Sequence, residues 1–334
     1  MSGAVPSGFL ALPRVDPTLA REVQDNLEKV EDLLRDSVAS SDPLLSEAAS
    51  HLLEAGGKRF RATLVLLAAH FGDPTVPDLI PAAAVVELTH VATLYHDDVM
   101  DEADMRRGEP SANQRWGNSI AILTGDYVFA KASEMLADLG TEAVRLQAVT
   151  FGRLVQGQIL ETSGPSEGTE PLDHYLRVIS DKTASLIASS AEFGGMFGKV
   201  DPETTGTVTR ACDALGMAFQ LSDDILDVAS ESTDSGKTPG TDLREGVLTL
   251  PMFYALRSDD PADARLRSLL GRPLGEEEAE EALKLLRVHP AMAEAEATLQ
   301  GWADKARDEL ATLPEGPARH AFEALCDYVV ERSG

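Results

Sequence analysis

Asp97, Asp98 and Asp101 stand close together in LYHDDVMDEADMRRG, residues 94–108. Asp97 and Asp101 are four apart, so on a helix their carboxylates project from one face within reach of a shared cation, with Asp98 beside them. Carboxylates on one face repel one another, and a divalent ion removes that repulsion. The spacing recurs in FQLSDDILDVAS, residues 219–230, as Asp223, Asp224 and Asp227. Here the flanks are apolar, and three unpaired carboxylates among Phe219, Leu221, Ile225, Leu226 and Val228 are costly unless they ionise against metals. Oxygen donors without cysteine suit Mg2+ or Mn2+. Mg2+ takes a few carboxylates and leaves waters and substrate phosphates to complete its octahedron, so the missing ligand is expected to be a phosphate.

Cations able to hold the other phosphate oxygens stand in GGKRFR, residues 56–61, as Lys58, Arg59 and Arg61, and directly after the first acid motif as Arg106 and Arg107. Lys58 and Arg61 share a helix face by their three-residue spacing, and arginine offers a fork that grips phosphate through two nitrogens. GGKRFR lacks the spacing and the preceding strand of a P-loop. A solvated acidic face or surface ion pairs would explain any one of these groups alone. Two copies of one acid pattern beside two basic sets call for a site.

The elements that must position them are helices. Long stretches rich in Ala, Leu, Glu and Arg repeat apolar residues at three- and four-residue spacing. The interval 81–108 has no internal Pro or Gly, with Pro81 suited to a start and Gly108 to a stop, which predicts a helix of roughly 40 Å. Its acids then lie near the C-terminal end, where they oppose the macrodipole. A second long pattern covers about 207–230. Loops are expected at 41–43, 72–78, 163–171 and 232–242, and no run alternates as a strand would. The reading is a single all-α bundle, one domain over 1–334 with residues 1–18 as a flexible N-terminus, its two acid rows facing across a central cavity.

Composition narrows the partners. The 334 residues carry 56 acidic against 29 basic side chains, a net charge of −27, which argues against nucleic acid as a partner. An anionic substrate must therefore meet a local concentration of cations. Cys212 and Cys326 are too few for a disulfide framework or a four-thiolate metal site. The first residues lack the pattern of a signal peptide, and runs such as 62–69 fall short of the about 20 residues a membrane span needs. A cytoplasmic protein without a stable membrane anchor is expected.

With these residues in view, the chain resembles the trans-prenyl diphosphate synthases, the polyprenyl synthetase family. The matching segments are GGKRFR at 56, ELTHVATLYHDDVMDEADMRRGEPSANQRWGN at 87, KTASL at 182, FQLSDDILD at 219 and GKTPGTDLREGVLTLP at 236. The tail LCDYVVERS is similar to the family's last helix. The resemblance implies an isoprenoid-synthase bundle that elongates an allylic diphosphate with isopentenyl diphosphate, acting as a homodimer. It implies that Asp97, Asp101 and Asp223 ligate Mg2+ (about three ions, with Mn2+ as a substitute) bridging the allylic diphosphate, with Asp98, Asp224 and Asp227 as further ligands or orienting groups. Lys58, Arg61, His90 and Arg107 would hold isopentenyl diphosphate, while Arg106, Lys182 and Lys237 would bind the allylic diphosphate. Thr183 and Gln220 would place oxygens near the developing carbocation. Ala62, where relatives often have proline, and GQILE at 157–161, an exchanged form of a GExxQ segment, depart from the pattern.

Product length should follow the depth of the cavity beneath the first acid motif. The family places a bulky aromatic five residues before that motif when growth stops early. Ala92 stands there, with Thr89, Leu88 and Val85 as walls or floor one to two turns further along. A C30–C50 product follows, with transient membrane contact on its release. A farnesyl or geranylgeranyl synthase is one alternative. A class I terpene cyclase would not need the second basic set, and an HD-type phosphohydrolase, suggested by His96 and Asp97, would need more histidines. A non-catalytic subunit would have lost acids or cations that are complete here.

Overall fold

The computed structural model describes residues 8–12, 14–230 and 239–332. Two Asp-Pro pairs open the first two helices. The Asp16 side chain accepts the N–H groups of Thr18 and Leu19 at 2.9 and 3.0 Å, with Pro17 at the first helical position of α1 (Pro17–Val38). Asp42 accepts the Leu45 N–H at 2.9 Å at the head of α2 (Pro43–Glu54), so the stretch 41–43 is a helix start rather than a plain loop. The buried stripe of α1 runs through Leu19, Val23, Leu27, Val30, Leu34 and Val38. Burial of such side chains contributes about 1.5–3 kcal/mol each before the entropy of ordering them.

Core helices α3 (Phe60–Ala69) and α4 (Leu79–Met100) are apolar almost all round and buried accordingly. The helix expected over 81–108 thus ends at Met100, with Pro81 in its first turn, where a missing N–H costs nothing. Beyond it lies a feature that the sequence reading lacked. A short antiparallel ladder pairs β1 (Met105–Arg106) with β2 (Glu109–Pro110), Arg106 opposite Glu109. Arg107 (φ 54°) and Gly108 (φ 82°) join them, and positive φ at both positions is the signature of a type I′ two-residue hairpin. Gly108 is therefore a hairpin residue and not a helix stop. Helices α5 (Ala112–Trp116), α6 (Asn118–Leu139) and α7 (Thr141–Ser163) follow.

The rest of the chain runs through α8 (Pro171–Ile179), a π-helical turn (Ser180–Ala184), α9 (Ser185–Phe197), α10 (Pro202–Ala229) and α11 (Thr241–Glu245). It closes with α12 (Leu250–Leu256), α13 (Ala264–Leu269), α14 (Glu276–Arg287), α15 (Ala291–Leu310) and α16 (Pro317–Glu331). The all-α class holds, and α10 begins five residues before the expected 207. Contacts gather the chain into two compact units. One comprises Met1–Gly152, Leu186–Thr209 and Thr312–Ala324, and the other Arg153–Ser185, Arg210–Ala311 and Leu325–Gly334.

In the first unit, α6 crosses α4 at a glycine. A Cβ at Gly125 would lie 2.4 Å from His96 Nε2 and 3.1 Å from the Ala92 carbonyl oxygen. The packing of α9 on α3 is tighter, since a Cβ at Gly194 would lie 2.2 Å from the Val65 carbonyl oxygen, a backbone atom that cannot swing aside. Gly194→Ala should therefore destabilise the protein by about 1–3 kcal/mol through overpacking. Denaturant unfolding measures it, and a loss below about 0.5 kcal/mol would contradict this packing.

Candidate active site

The basic set is built around a left-handed residue. Arg59 (φ 44°) precedes α3 and turns its side chain inward, where Nε and Nη2 fork onto Glu31, Nη2 also donating to the Leu53 carbonyl at 3.0 Å. Arg59 is thus a buried structural arginine, 6% exposed, while Lys58 beside it is exposed. Arg107 donates through Nη1 to the carbonyls of Leu52 (2.7 Å) and Gly56. The two guanidinium groups meet over Gly57, where a Cβ would lie 3.2 Å from nitrogens of both. Arg59 Nη1 and Arg61 Nε are buried without a hydrogen-bond partner. Such orphaned donors are costly, and an incoming anion would satisfy them.

Glu87 is the counterweight that the sequence reading missed. It is 2% exposed, accepts the Ala62 N–H at 3.0 Å, and its charge opposes the fall in the Arg61 and Arg107 pKa that burial causes. A lone Glu three residues before His90 in an apolar helix was the available signal. His90 lies among the same cations. Burial, then the charges of Arg61, Arg107, Arg106 and Arg59, hold its pKa well below the ordinary 6.5, so it is neutral at pH 7. Of the residues predicted to hold isopentenyl diphosphate, Arg61, His90 and Arg107 are therefore brought together.

The first acid motif occupies the last turn of α4. Asp101 caps the helix with its N–H on the Asp97 carbonyl at 2.8 Å, so the two sit one turn apart as the spacing requires. Asp98 points the other way and is fully buried, its Oδ1 accepting from Arg106 Nε at 2.6 Å. Burial raises its pKa and Arg106 opposes that rise. Asp98 Oδ2 is buried with no partner. The hairpin thus ties Arg106 back onto the motif, which casts Asp98 as an orienting group.

The second motif departs from the premise that its carboxylates are unpaired. Asp223 pairs with Arg332 at 3.0 Å, whose guanidinium also lies 4.2 Å over the Phe219 ring and donates to the Phe219 carbonyl and Ser222 Oγ. Asp224 is 6% exposed and accepts from Tyr175 Oη and from Gln220 Nε2 at 2.9 Å. Burial pushes its pKa up to about 7, against the lowering by those two hydrogen bonds. Asp227 accepts the N–H groups of Thr241 and Asp242, both at 3.2 Å, at the head of α11. Each acid is offset by a protein partner that the local sequence did not announce.

Thr183 and Gln220 do meet, Oγ1 donating to Oε1 at 3.2 Å, and Lys182 pairs with Glu161. Lys237 lies outside the described residues. Along α4, Val85, Leu88, Thr89 and Ala92 are all buried. Thr89 Oγ1 donates to the Val85 carbonyl at 2.8 Å and accepts from Gln147 Nε2 of α7 at 2.5 Å, a bridge with no signal in the local sequence.

Among the described residues no three acidic, His or Cys side chains converge tightly enough to hold an ion unaided. The donors are nonetheless hard oxygens, and the orphaned Asp98 Oδ2 is one carboxylate oxygen short of a partner. An incomplete set of hard oxygens of this kind fits a divalent ion that shares its coordination with a ligand's oxygens rather than sitting in a protein cage.

Comparison with known proteins accounts for the pattern. The polyprenyl synthetase family model matches residues 42–286. The chain is 49% identical over 321 residues to nonaprenyl diphosphate synthase of Mycobacterium tuberculosis, covering 96% of each chain. It is 39% identical to dimethylallyltranstransferase of the same organism, covering 94% of this chain and 96% of that protein. A crystal structure of geranylgeranyl pyrophosphate synthase from Corynebacterium glutamicum, complexed with calcium and isoprenyl diphosphate, superposes with a TM-score of 0.86 at 45% identity over 96% of this chain and 98% of that one. The chain belongs to the polyprenyl synthetase family. It is a prenyltransferase that elongates prenyl chains. No helix among the described residues is long and apolar enough to cross a membrane.

The low pKa of His90 has a consequence with a definite sign. Below about pH 6.5 the unfolded chain takes up a proton that the folded chain refuses, so stability falls as pH falls through that value. Wild type should lose more melting temperature between about pH 7.5 and 5.5 than His90→Gln does. Equal losses in the two proteins would contradict the half-buried, cation-flanked histidine.

Proposed function

We propose that the protein elongates an allylic diphosphate with isopentenyl diphosphate to a long trans-polyprenyl diphosphate, C30–C50, in the cytoplasm. The observation that carries the reading is the cationic basin at Arg61, His90 and Arg107 in a chain of net charge −27, where Arg61 Nε and Nη1 of the adjoining Arg59 are buried donors without partners. The family match, which runs through segments of both compact units, supports treating the chain as one synthase domain.

Lys58, Arg61, His90 and Arg107 would hold isopentenyl diphosphate, with neutral His90 donating or accepting one hydrogen bond rather than adding charge. Arg106, Lys182 and Lys237 would bind the allylic diphosphate. Asp97, Asp101 and Asp223 would be the metal ligands, and Asp98, Asp224 and Asp227 the groups that orient them. Mg2+, or Mn2+ in its place, would neutralise charge on the departing diphosphate. Arginine and lysine at the same oxygens lower the barrier to C–O cleavage in the same way. Thr183 and Gln220, already hydrogen-bonded, would turn oxygens toward the allylic cation. The double bond of isopentenyl diphosphate attacks it, proximity supplying the second catalytic contribution, and the released diphosphate takes the proton. Apolar walls keep out the water that would trap the cation as an alcohol.

Ala92 is small and buried, which favours a long product. The Thr89–Gln147 bridge favours a short one, because it closes the stripe about 12 Å below Asp97, eight residues along the helix. Product analysis with Mg2+, farnesyl diphosphate and excess isopentenyl diphosphate decides between them. We expect a ladder converging on C30–C50, whereas termination at C15 or C20 would overturn the long-chain reading. Ala92→Phe should shorten the products while leaving the first condensation within about threefold of wild type. Unchanged lengths would refute that wall.

A homodimer is the assembly we infer. Leu123 and Ile122 on α6 and Val149 and Val144 on α7 are exposed, Leu123 and Val149 by 61% and 60%, an apolar set suited to a second copy. Light scattering should give twice the 35.7 kDa of one chain, and Leu123→Lys should shift it toward monomer. A monomeric wild type would reject the assembly.

A further inference from the structure

The helix that presents Lys182 and Thr183 is not a regular one. Over Ser180–Ala184 it widens to the π form, and the hydrogen bonds show how that form is kept. In an α-helix the Ser185 N–H would bond the Asp181 carbonyl. Here it passes one residue further back to the Ser180 carbonyl, and the vacated Asp181 carbonyl is taken by the Ser185 hydroxyl at 2.6 Å. Ser185 is 3% exposed, so this exchange is sealed from water.

From outside, one face of α7 lies along the turn at four-residue spacing. Arg153 Nε donates to Asp181 Oδ1 at 3.1 Å, and its Nη2 reaches Ser180 Oγ and the Ser180 carbonyl at 3.3 and 3.4 Å. One turn on, Gly157 lets the backbones touch, since a Cβ there would lie 2.6 Å from the Lys182 nitrogen. A further turn on, Glu161 pairs with the Lys182 ammonium. Regular α-helix is the lower-energy default, and π turns persist where surrounding contacts hold them, frequently at functional sites.

We propose that Arg153 and Ser185 are positioning residues for the prenyl transfer reaction, acting by locking residues 180–184 in the π form that sets the direction of Lys182 and Thr183. Neither residue touches substrate in this scheme. Relaxation to α-helix removes one residue's worth of widening and rotates Lys182 and Thr183 relative to Glu161 and Gln220. The inference rests on the reading that Lys182 and Thr183 serve the allylic substrate, and it adds the elements that aim them.

A double-mutant cycle with a structural control tests it. Steady-state constants are measured with farnesyl diphosphate and isopentenyl diphosphate for wild type, Arg153→Leu, Arg153→Lys, Ser185→Ala, Lys182→Ala and the pair Arg153→Leu with Lys182→Ala. Arg153→Leu and Ser185→Ala should each raise the allylic KM about tenfold and leave the isopentenyl KM within about twofold, with Arg153→Lys recovering part of the loss. In the Lys182→Ala background, Arg153→Leu should add less than about twofold, because both changes remove one unit of function. Additive effects, or equal rises in both KM values, overturn the proposal. The crystal structure of Arg153→Leu is the control. Residues 180–184 relaxed to α-helix support the lock, and an unaltered π turn refutes it. If wild type condenses no substrate at all, the functional reading fails instead, and the crystal structure still judges the lock.

Discussion

Like charges held at close range set the terms for this protein. A basin with Arg59, Arg61, Arg106 and Arg107 around a histidine would push itself apart in a low dielectric, as would two rows of aspartates. The structure answers with buried and half-buried counter-groups. Glu31 holds Arg59, Glu87 faces Arg61 and Arg107, and Asp98 holds Arg106. Because Glu87 and Asp98 are buried and Glu31 is half-buried, each fixes a direction as well as a charge. Arg59 Nη1 and Arg61 Nε are the guanidinium nitrogens left buried without a partner.

The second acid row shows the same economy with different partners. A cation, a phenol and an amide, and two backbone N–H groups respectively receive Asp223, Asp224 and Asp227. The row is thus ordered by the protein's own groups, and so is the chain of hydrogen bonds from Thr183 through Gln220 to Asp224 and Tyr175. Preorganisation of this kind removes a reorganisation cost from the chemical step. Burial lifts the Asp224 carboxyl to about 7 as a by-product of the same arrangement, while the Tyr175 hydroxyl is pushed well above its usual value and stays a donor.

Three of the backbone departures fall at the basic motifs. Arg59 and Arg107 take the left-handed conformation at the edges of the cationic basin, and the π turn carries Lys182 and Thr183. A non-glycine residue at positive φ costs of order 1 kcal/mol or more and persists only when its surroundings over-determine it. At Arg59 the over-determination is the fork onto Glu31, and at Arg107 it is the two-residue hairpin together with the carbonyls of Leu52 and Gly56.

The aspartates, the basic sets and the helical class were legible in the sequence because each is a short-range pattern. Four-residue spacing puts Asp97 and Asp101 on one face whatever surrounds them, and three-residue apolar spacing makes a helix in almost any context. Fixed motifs likewise carried the family. What the sequence could not decide was which member of each cluster turns inward. Neighbours in a motif differ by about 100° around a helix, so Asp97 and Asp98, or Asp223 and Asp224, meet different surroundings. Arg59 and Arg61 part company because one left-handed residue redirects the chain between loop and helix. Glu31, Gln147, Tyr175 and Arg332 stand 28 to 113 positions from the groups they hold. No spacing rule spans such separations, since only the packed fold brings those side chains to one place and makes an unpaired buried charge costly enough to select them.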